Sequence, residues 1–158
     1  MNRTVGIAEM HVSRDPAEVI ATYALGSCVG LSLFDPQARV GGLIHCMLPL
    51  SRIDPGKAER NPLMYVDTGV QAMLQALFDF GAQRKSLVAK VAGASKIMDT
   101  NGVFNIGERN YTVLRKVLWK NNILVSGEDV GGSAPRTMYL HMDSGRTMLK
   151  MAGAEKEL

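Results

Sequence analysis

At 158 residues, 46% hydrophobic and 6% aromatic, the chain has the size of a single domain, residues 1–158, with one sizeable core. Its formal charge of +3 comes from scattered Lys and Arg with no basic run interleaved with aromatics, which excludes a nucleic-acid reader, and no apolar run approaches bilayer length, which excludes membrane insertion. Two cysteines outside any CxxC pattern make neither a disulfide framework nor a zinc signature, so both are expected as free thiols with no metal bound.

The opening "MNRTVGIAEMHVS" carries an acidic residue and no continuous apolar core, so a signal peptide is not expected and a cytoplasmic protein is. Thr4 to Ser13 alternates loosely and predicts one strand, ended by the breaker "RDPAE" at Arg14 to Glu18. "CVGLSLF" and "VGGLIHCML" are apolar, β-prone runs on either side of the turn "DPQAR", and together they predict a hairpin over Cys28 to Leu48. "SRIDPGKAERNPL", Ser51 to Leu63, holds two prolines, a glycine and five charges without a period; it predicts a surface loop and a candidate substrate contact. Val66, Val70, Met73, Leu74 and Leu77 recur at helical spacing, with Gly81 placed to end the helix. "KSLVAKVAG" predicts a strand, and Asn105 to Asn122 a second amphipathic helix through Tyr111, Leu114, Val117 and Leu118. "NILVSGEDVGG" predicts a strand ending in a glycine turn, and Arg136 to Met151 a hairpin around Asp143-Ser144-Gly145. The order of elements predicts an α+β layered fold, not a regular βαβ wind.

Three residues carry the candidate chemistry. A cysteine attacks a carbonyl carbon as the thiolate and needs a neighbour to take its proton, most often a histidine. Cys28 opens one strand of the predicted hairpin and His45 lies toward the far end of the other, so antiparallel pairing brings them to one end of the sheet. An imidazole in that place predicts a thiolate fraction at Cys28 above that of a free cysteine. Gly26 and Ser27 suit a tight turn before the strand, and backbone N–H groups at such a turn are candidate oxyanion donors or substrate contacts. Thr22 stands six residues before Cys28 and could orient the imidazole through its hydroxyl or its carbonyl. The packing reading stands beside the catalytic one: a small cysteine at a strand start, a core histidine and an ordinary strand threonine. By strand alternation Cys46 points away from whatever His45 faces. His11 and His141 read as peripheral, the latter sharing a face with Tyr139 and Asp143.

"LGSCVGLSLFDPQARVGGLIHCMLP", with "YVDTGV", "NIGERN" and "EDVGG" further on, closely resembles the CheD family, the chemoreceptor glutamine deamidases of bacterial and archaeal chemotaxis. The likeness runs from about Val5 to about Lys150 with the motifs in order. It implies Cys28 as nucleophile, His45 as base and Thr22 as third member, in a cofactor-free hydrolysis of receptor glutamines to glutamate through a thioester. It also implies packed β-sheets flanked by helices, resembling the catalytic domain of cytotoxic necrotizing factor toxins. The implied partners are the cytoplasmic helices of methyl-accepting chemotaxis proteins and a CheC-type phosphatase; a chain that mainly regulates such a phosphatase is the alternative. One position departs from the family pattern: where a second glycine is usual, this chain carries Ala94. If that position needs a positive φ, alanine is strained there and the following loop takes a different shape, with consequences for substrate choice more than for chemistry.

Overall fold

The structure, a computed structural model, describes residues 2–96 and 105–158. The N-terminal run that alternates so loosely is two strands rather than one. β1 (Asn2–Thr4) and β2 (Glu9–Ser13) belong to different sheets, separated by a turn in which Ala8 takes φ +60°. Alanine gives no turn signal, which is why the break is invisible in the sequence. The remaining strands are β3 (Val19–Leu25), β4 (Val29–Asp35), β5 (Val40–Cys46), β6 (Val88–Gly93), β7 (Val125–Val130), β8 (Arg136–His141), β9 (Arg146–Met151) and β10 (Ala154–Glu157). The helices are α1 (Pro55–Arg60), α2 (Val66–Asp79) and α3 (Ile106–Lys120).

Two five-stranded mixed sheets result, one in the order β1-β3-β8-β9-β10 and the other β2-β5-β4-β6-β7. The predicted hairpin is the heart of the second sheet: β4 and β5 pair antiparallel from Asp35↔Val40 to Val29↔Cys46, and every residue of both strands is buried. Strands covered on both faces read as near-continuous apolar runs, as these do. Alternation divides them cleanly. Val29, Leu31, Leu33, Val40, Ile44 and Cys46 pack with Val70, Met73, Leu74, Leu114 and Leu118 of α2 and α3. Phe34 and Leu43 pack on the opposite face against Ile20, Leu25, Met138, Leu140 and Leu149 of the first sheet. The molecule is thus three layers: helices, second sheet, first sheet. β6 and β7 are parallel neighbours with α3 between them in sequence, one βαβ unit, and β1 lies parallel to β3; the other paired strands are antiparallel.

The segment Ser51–Leu63, predicted as a loop, winds into short helical turns around α1, whose first turn is capped by Asp54 Oδ1 accepting from the Lys57 amide at 3.1 Å. Its end is tied to the strand that carries His45, since the amides of Met47 and Leu48 both donate to the Met64 carbonyl, at 2.8 and 3.0 Å. No helix among the described residues is long and apolar enough to cross a membrane.

Candidate active site

β5 brings His45 to the face that looks into the space between the sheets, and β3 of the other sheet brings Thr22 to meet it. Thr22 Oγ1 lies 2.7 Å from His45 Nδ1 and 2.7 Å from the Val5 carbonyl oxygen. A hydroxyl has one hydrogen, and the carbonyl can only accept it. Thr22 therefore donates to Val5 and accepts from His45, which places the imidazole proton on Nδ1. Nε2 carries the lone pair, is buried and has no hydrogen-bond partner among the described residues. The Thr22 contact is through the hydroxyl, the first of the two routes the sequence left open. The ladder of β3 against β8 shifts register between Thr22 and Leu25, with Ala24 at φ +56°, a bulge of the kind that re-aims side chains beside a site.

Cys28 is on the interlayer side, as His45 is. Gly30 pairs directly with His45, and Cys28 lies two residues before Gly30, in the bend that leads into β4. The Cys28 side chain packs with the interlayer cluster and is part-exposed. Cys46, adjacent to His45, points to the helix layer, where its Sγ would lie 3.1 Å from a Cβ placed at Gly69. Burial pushes the Cys46 thiol far above its ordinary pKa.

The ionisation of the pair differs from the expected activated thiolate. Burial raises the Cys28 thiol, against a smaller opposing pull from its own backbone amide, and burial pushes the His45 imidazole down to about 4. With the imidazole buried and no carboxylate among the described residues bonded to it, the neutral pair is the lower state. An adjacent histidine is legible in the sequence, but the tertiary burial that keeps it uncharged is not.

The turn Gly26-Ser27-Cys28 is held from behind at three successive carbonyls. The amide of Ser95 donates to Gly26 O at 2.8 Å, that of Ala94 to Cys28 O at 2.8 Å, and Asn110 Nδ2 to Ser27 O at 3.0 Å. Ala94 does sit at positive φ, +55°, the strained conformation its substitution for glycine raises; the loop beyond it, from Ile97, lies outside the described residues. Arg136 is buried at 5% exposure between Asp129 and the Gly93 carbonyl, with Nε 2.9 Å from Asp129 Oδ1 and a guanidinium N–H donating to Gly93 O at 3.2 Å. Gly93 pairs with Val29, so this ion pair braces the strand next to the turn. Neither Asn110 nor Arg136 is evident from the sequence as a site residue. The signal for Asn110 is its position four residues before Leu114 and seven before Val117, a polar residue on the apolar stripe of α3. His11 is bonded to Glu18 at 2.8 Å and His141 lies on β8 opposite Val19, both at the periphery.

A groove of about 490 Å³ opens between α3 and the chain following β5, with Leu50, Arg52, Glu108 and Arg109 among its walls; Cys28, His45 and Thr22 do not line it. Exposed Met47 follows the His45 strand, and the turn that carries exposed Ile7 is bonded to that strand by the Ala8 amide, which donates to His45 O at 2.9 Å. Together they give this end of the sheet an apolar rim. Among the described residues no cluster of His, Cys, Asp and Glu is arranged to hold a metal ion.

Comparison with known proteins bears directly on this arrangement. The family profile described as CheD chemotactic sensory transduction matches residues 47–151, beginning just after His45. Curated relatives extend the match across the site. A protein of Solibacter usitatus named probable chemoreceptor glutamine deamidase CheD is 49% identical over 154 residues, 98% of this chain and 91% of its own. One from Syntrophus aciditrophicus, named probable chemoreceptor glutamine deamidase CheD 1, is 42% identical over 94% of this chain and 93% of its own. An archaeal relative from Haloarcula marismortui is 40% identical over 96% of this chain and 86% of its own. With likeness of that depth along nearly its whole length, the chain belongs to the CheD family.

Proposed function

We propose that this protein hydrolyses glutamine side chains of chemoreceptors to glutamate, with Cys28 as nucleophile, His45 as general base and acid, and Thr22 as the group that fixes the imidazole. The observation that carries the reading is the relay from His45 Nδ1 through Thr22 to the Val5 carbonyl, which leaves the Nε2 lone pair without a partner among the described residues, on the interlayer side where Cys28 packs.

In the resting protein both groups are neutral. When a substrate carboxamide displaces water from the site, Nε2 takes the thiol proton as sulfur attacks the carboxamide carbon. The oxyanion that forms is met by backbone N–H groups of the Gly26 to Cys28 turn, whose carbonyls are engaged behind it. Nε2–H then protonates the departing nitrogen, and ammonia leaves a thioester on Cys28. A water enters, gives a proton to Nε2, and its hydroxide oxygen attacks the thioester carbon. The thiolate leaves and recovers the proton. The net change is glutamine plus water to glutamate plus ammonia, with the thiol and the imidazole restored. Throughout, Thr22 holds the proton on Nδ1 when His45 is neutral and accepts from it when His45 is charged.

The apolar rim suits the methylenes of a glutamine side chain. Arg52, within the Ser51 to Leu63 segment, and Arg109 across the groove suit an acidic polypeptide. We place the receptor's cytoplasmic helices there as substrate, which makes the protein cytoplasmic. A CheC-type phosphatase is the second partner that family membership suggests, and competition between it and receptor fragments for Cys28→Ala protein tests that. The deciding experiment is intact-mass analysis of receptor cytoplasmic fragments after incubation. A gain of about one dalton per converted residue is expected, from replacement of NH₂ by OH on acyl hydrolysis. Fragments unchanged in mass with the native protein, or equally changed with Cys28→Ala, would reject the proposal.

A further inference from the structure

α3 reaches the nucleophile turn through two residues one helical turn apart. At Gly107 the helix approaches the end of β6 so closely that a Cβ would collide with the Ser95 carbonyl and lie 2.7 Å from the carbonyl carbon of Ala94. Three residues on, and therefore on the same face, Asn110 is fully buried. Both hydrogens of its carboxamide are used: Nδ2 donates to Ser27 O and to Met47 O, each at 3.0 Å. Flipping the amide would set Oδ1 against two carbonyl oxygens, so the orientation is determined by its partners.

The two carbonyls belong to the two strands that carry the reacting groups. Val29↔Cys46 is the last pair of the β4–β5 ladder. Beyond it the strands run on as Cys28 and Met47, and there Asn110 joins the residue before Cys28 to the residue two after His45. A side-chain carboxamide thus continues the ladder by one rung at the point where Cys28 departs from the sheet. Among the described residues Oδ1 is left buried without a partner. A position filled for stability alone does not carry an orphaned acceptor in the core.

We propose that Asn110 is a positioning residue for the deamidation, setting the spacing between the Cys28 turn and the His45 strand. The proposal rests on the reading of Cys28 and His45 as the reacting pair. Asn110→Leu keeps the bulk and removes both donors; Asn110→Ala is the alternative if leucine does not fold. In folded variant protein, kcat for ammonia release from receptor fragments falls about 100-fold, the scale of an ångström of misplacement, while KM is nearly unchanged. The second readout is alkylation of Cys28 by iodoacetamide, which needs no substrate. In otherwise native protein His45→Asn slows this alkylation. In the Asn110→Leu background His45→Asn has no further effect, because the spacing through which His45 acts is already lost. A folded variant with native kcat, or slowing by Asn110→Leu and His45→Asn that multiplies as for independent sites, would overturn the proposal. If His45→Asn leaves alkylation unmoved in the native background, the reading of the Cys28–His45 pair falls, and the role of Asn110 with it.

Discussion

Replacing Thr22 by valine removes one oxygen at nearly constant volume and tests the relay directly. Thr22 is fully buried, and its hydroxyl joins the His45 imidazole to the Val5 carbonyl at 2.7 Å on each side. Without it a buried N–H and a buried carbonyl both lose their partner, and each such loss costs about 1–3 kcal/mol. The imidazole recovers part of this by moving its proton to Nε2 and turning a lone pair toward the valine methyl. That tautomer cannot accept the Cys28 proton. A single hydrogen bond worth about 1–1.5 kcal/mol biases the tautomers by roughly tenfold, so kcat should fall by about 10- to 100-fold once loss of orientation is added. Thr22→Ser keeps the hydroxyl and should stay within a few fold of native. The assays are ammonia release from receptor fragments, thermal melting to confirm folding, and nitrogen NMR of His45 to identify the protonated ring atom. A folded Thr22→Val protein with native kcat and the proton still on Nδ1 would refute the relay. Equal loss in Thr22→Ser would assign the effect to packing of the γ-methyl instead.

Acid sensitivity follows from burial of His45. Its folded pKa of about 4 lies below the ordinary 6.5, so the native state binds fewer protons than the unfolded chain between those values; this stability is complete above about pH 6.5 and is lost as the pH falls toward 4. The shift corresponds to about 3 kcal/mol, and His45→Asn should unfold with a shallower acid slope in denaturant titrations; an unchanged slope would count against a neutral buried imidazole. For the same reason the acid limb of kcat/KM should lie well below pH 6.5. Limiting iodoacetamide should label Cys28 first and leave Cys46 untouched until the protein unfolds, with a Cys28 titration shifted upward from that of a free thiol by burial; peptide mapping that finds Cys46 labelled faster would contradict the assignment of faces. Ala94→Gly should relieve the left-handed strain at φ +55°, worth about 1–2 kcal/mol, against the greater chain entropy of glycine at about 0.4–1 kcal/mol and the loss of a buried methyl at about 0.8 kcal/mol. The net is small, so Tm should rise by no more than about 2 °C, and a fall of several degrees would mean that the alanine methyl is a packing contact worth more than the strain.

The parts of this molecule that depend on neighbours in sequence are visible in the sequence, and those that depend on neighbours in space are not. The β4–β5 hairpin follows from two apolar runs and one proline turn, and antiparallel pairing in turn brings Cys28 and His45 to one end of the sheet. Both long helices follow from their period. The division of β1 and β2 between two sheets is hidden because the turn between them rests on an alanine at positive φ. β3 is harder still: its residues Tyr23 and Ala24 are exposed in a bulge, so no clean alternation marks the strand that delivers Thr22. Thr22 is a candidate from its place six residues before Cys28 and from the family resemblance, whereas the direction of its hydrogen bond needs the Val5 carbonyl, seventeen residues away. Asn110 acts on a turn 83 residues away, and Arg136 on Gly93, 43 residues away, beside that turn. Polar side chains of that kind look like surface until the layer they are buried in is known.

The alternation of β5 has a consequence for oxidative chemistry. His45 and Cys46 are adjacent in sequence and face opposite layers, so the second thiol of the protein stands across the sheet from the first, with Cys46 buried at 1% exposure. Side chains that leave a sheet in opposite directions cannot meet disulfide geometry without moving backbone. A peroxide that converts Cys28 to the sulfenic acid therefore finds no resolving thiol within the chain. Rescue has to come from an external thiol through a mixed disulfide, and without one a second oxidant carries Cys28 on to the sulfinic acid, a dead end for the nucleophile.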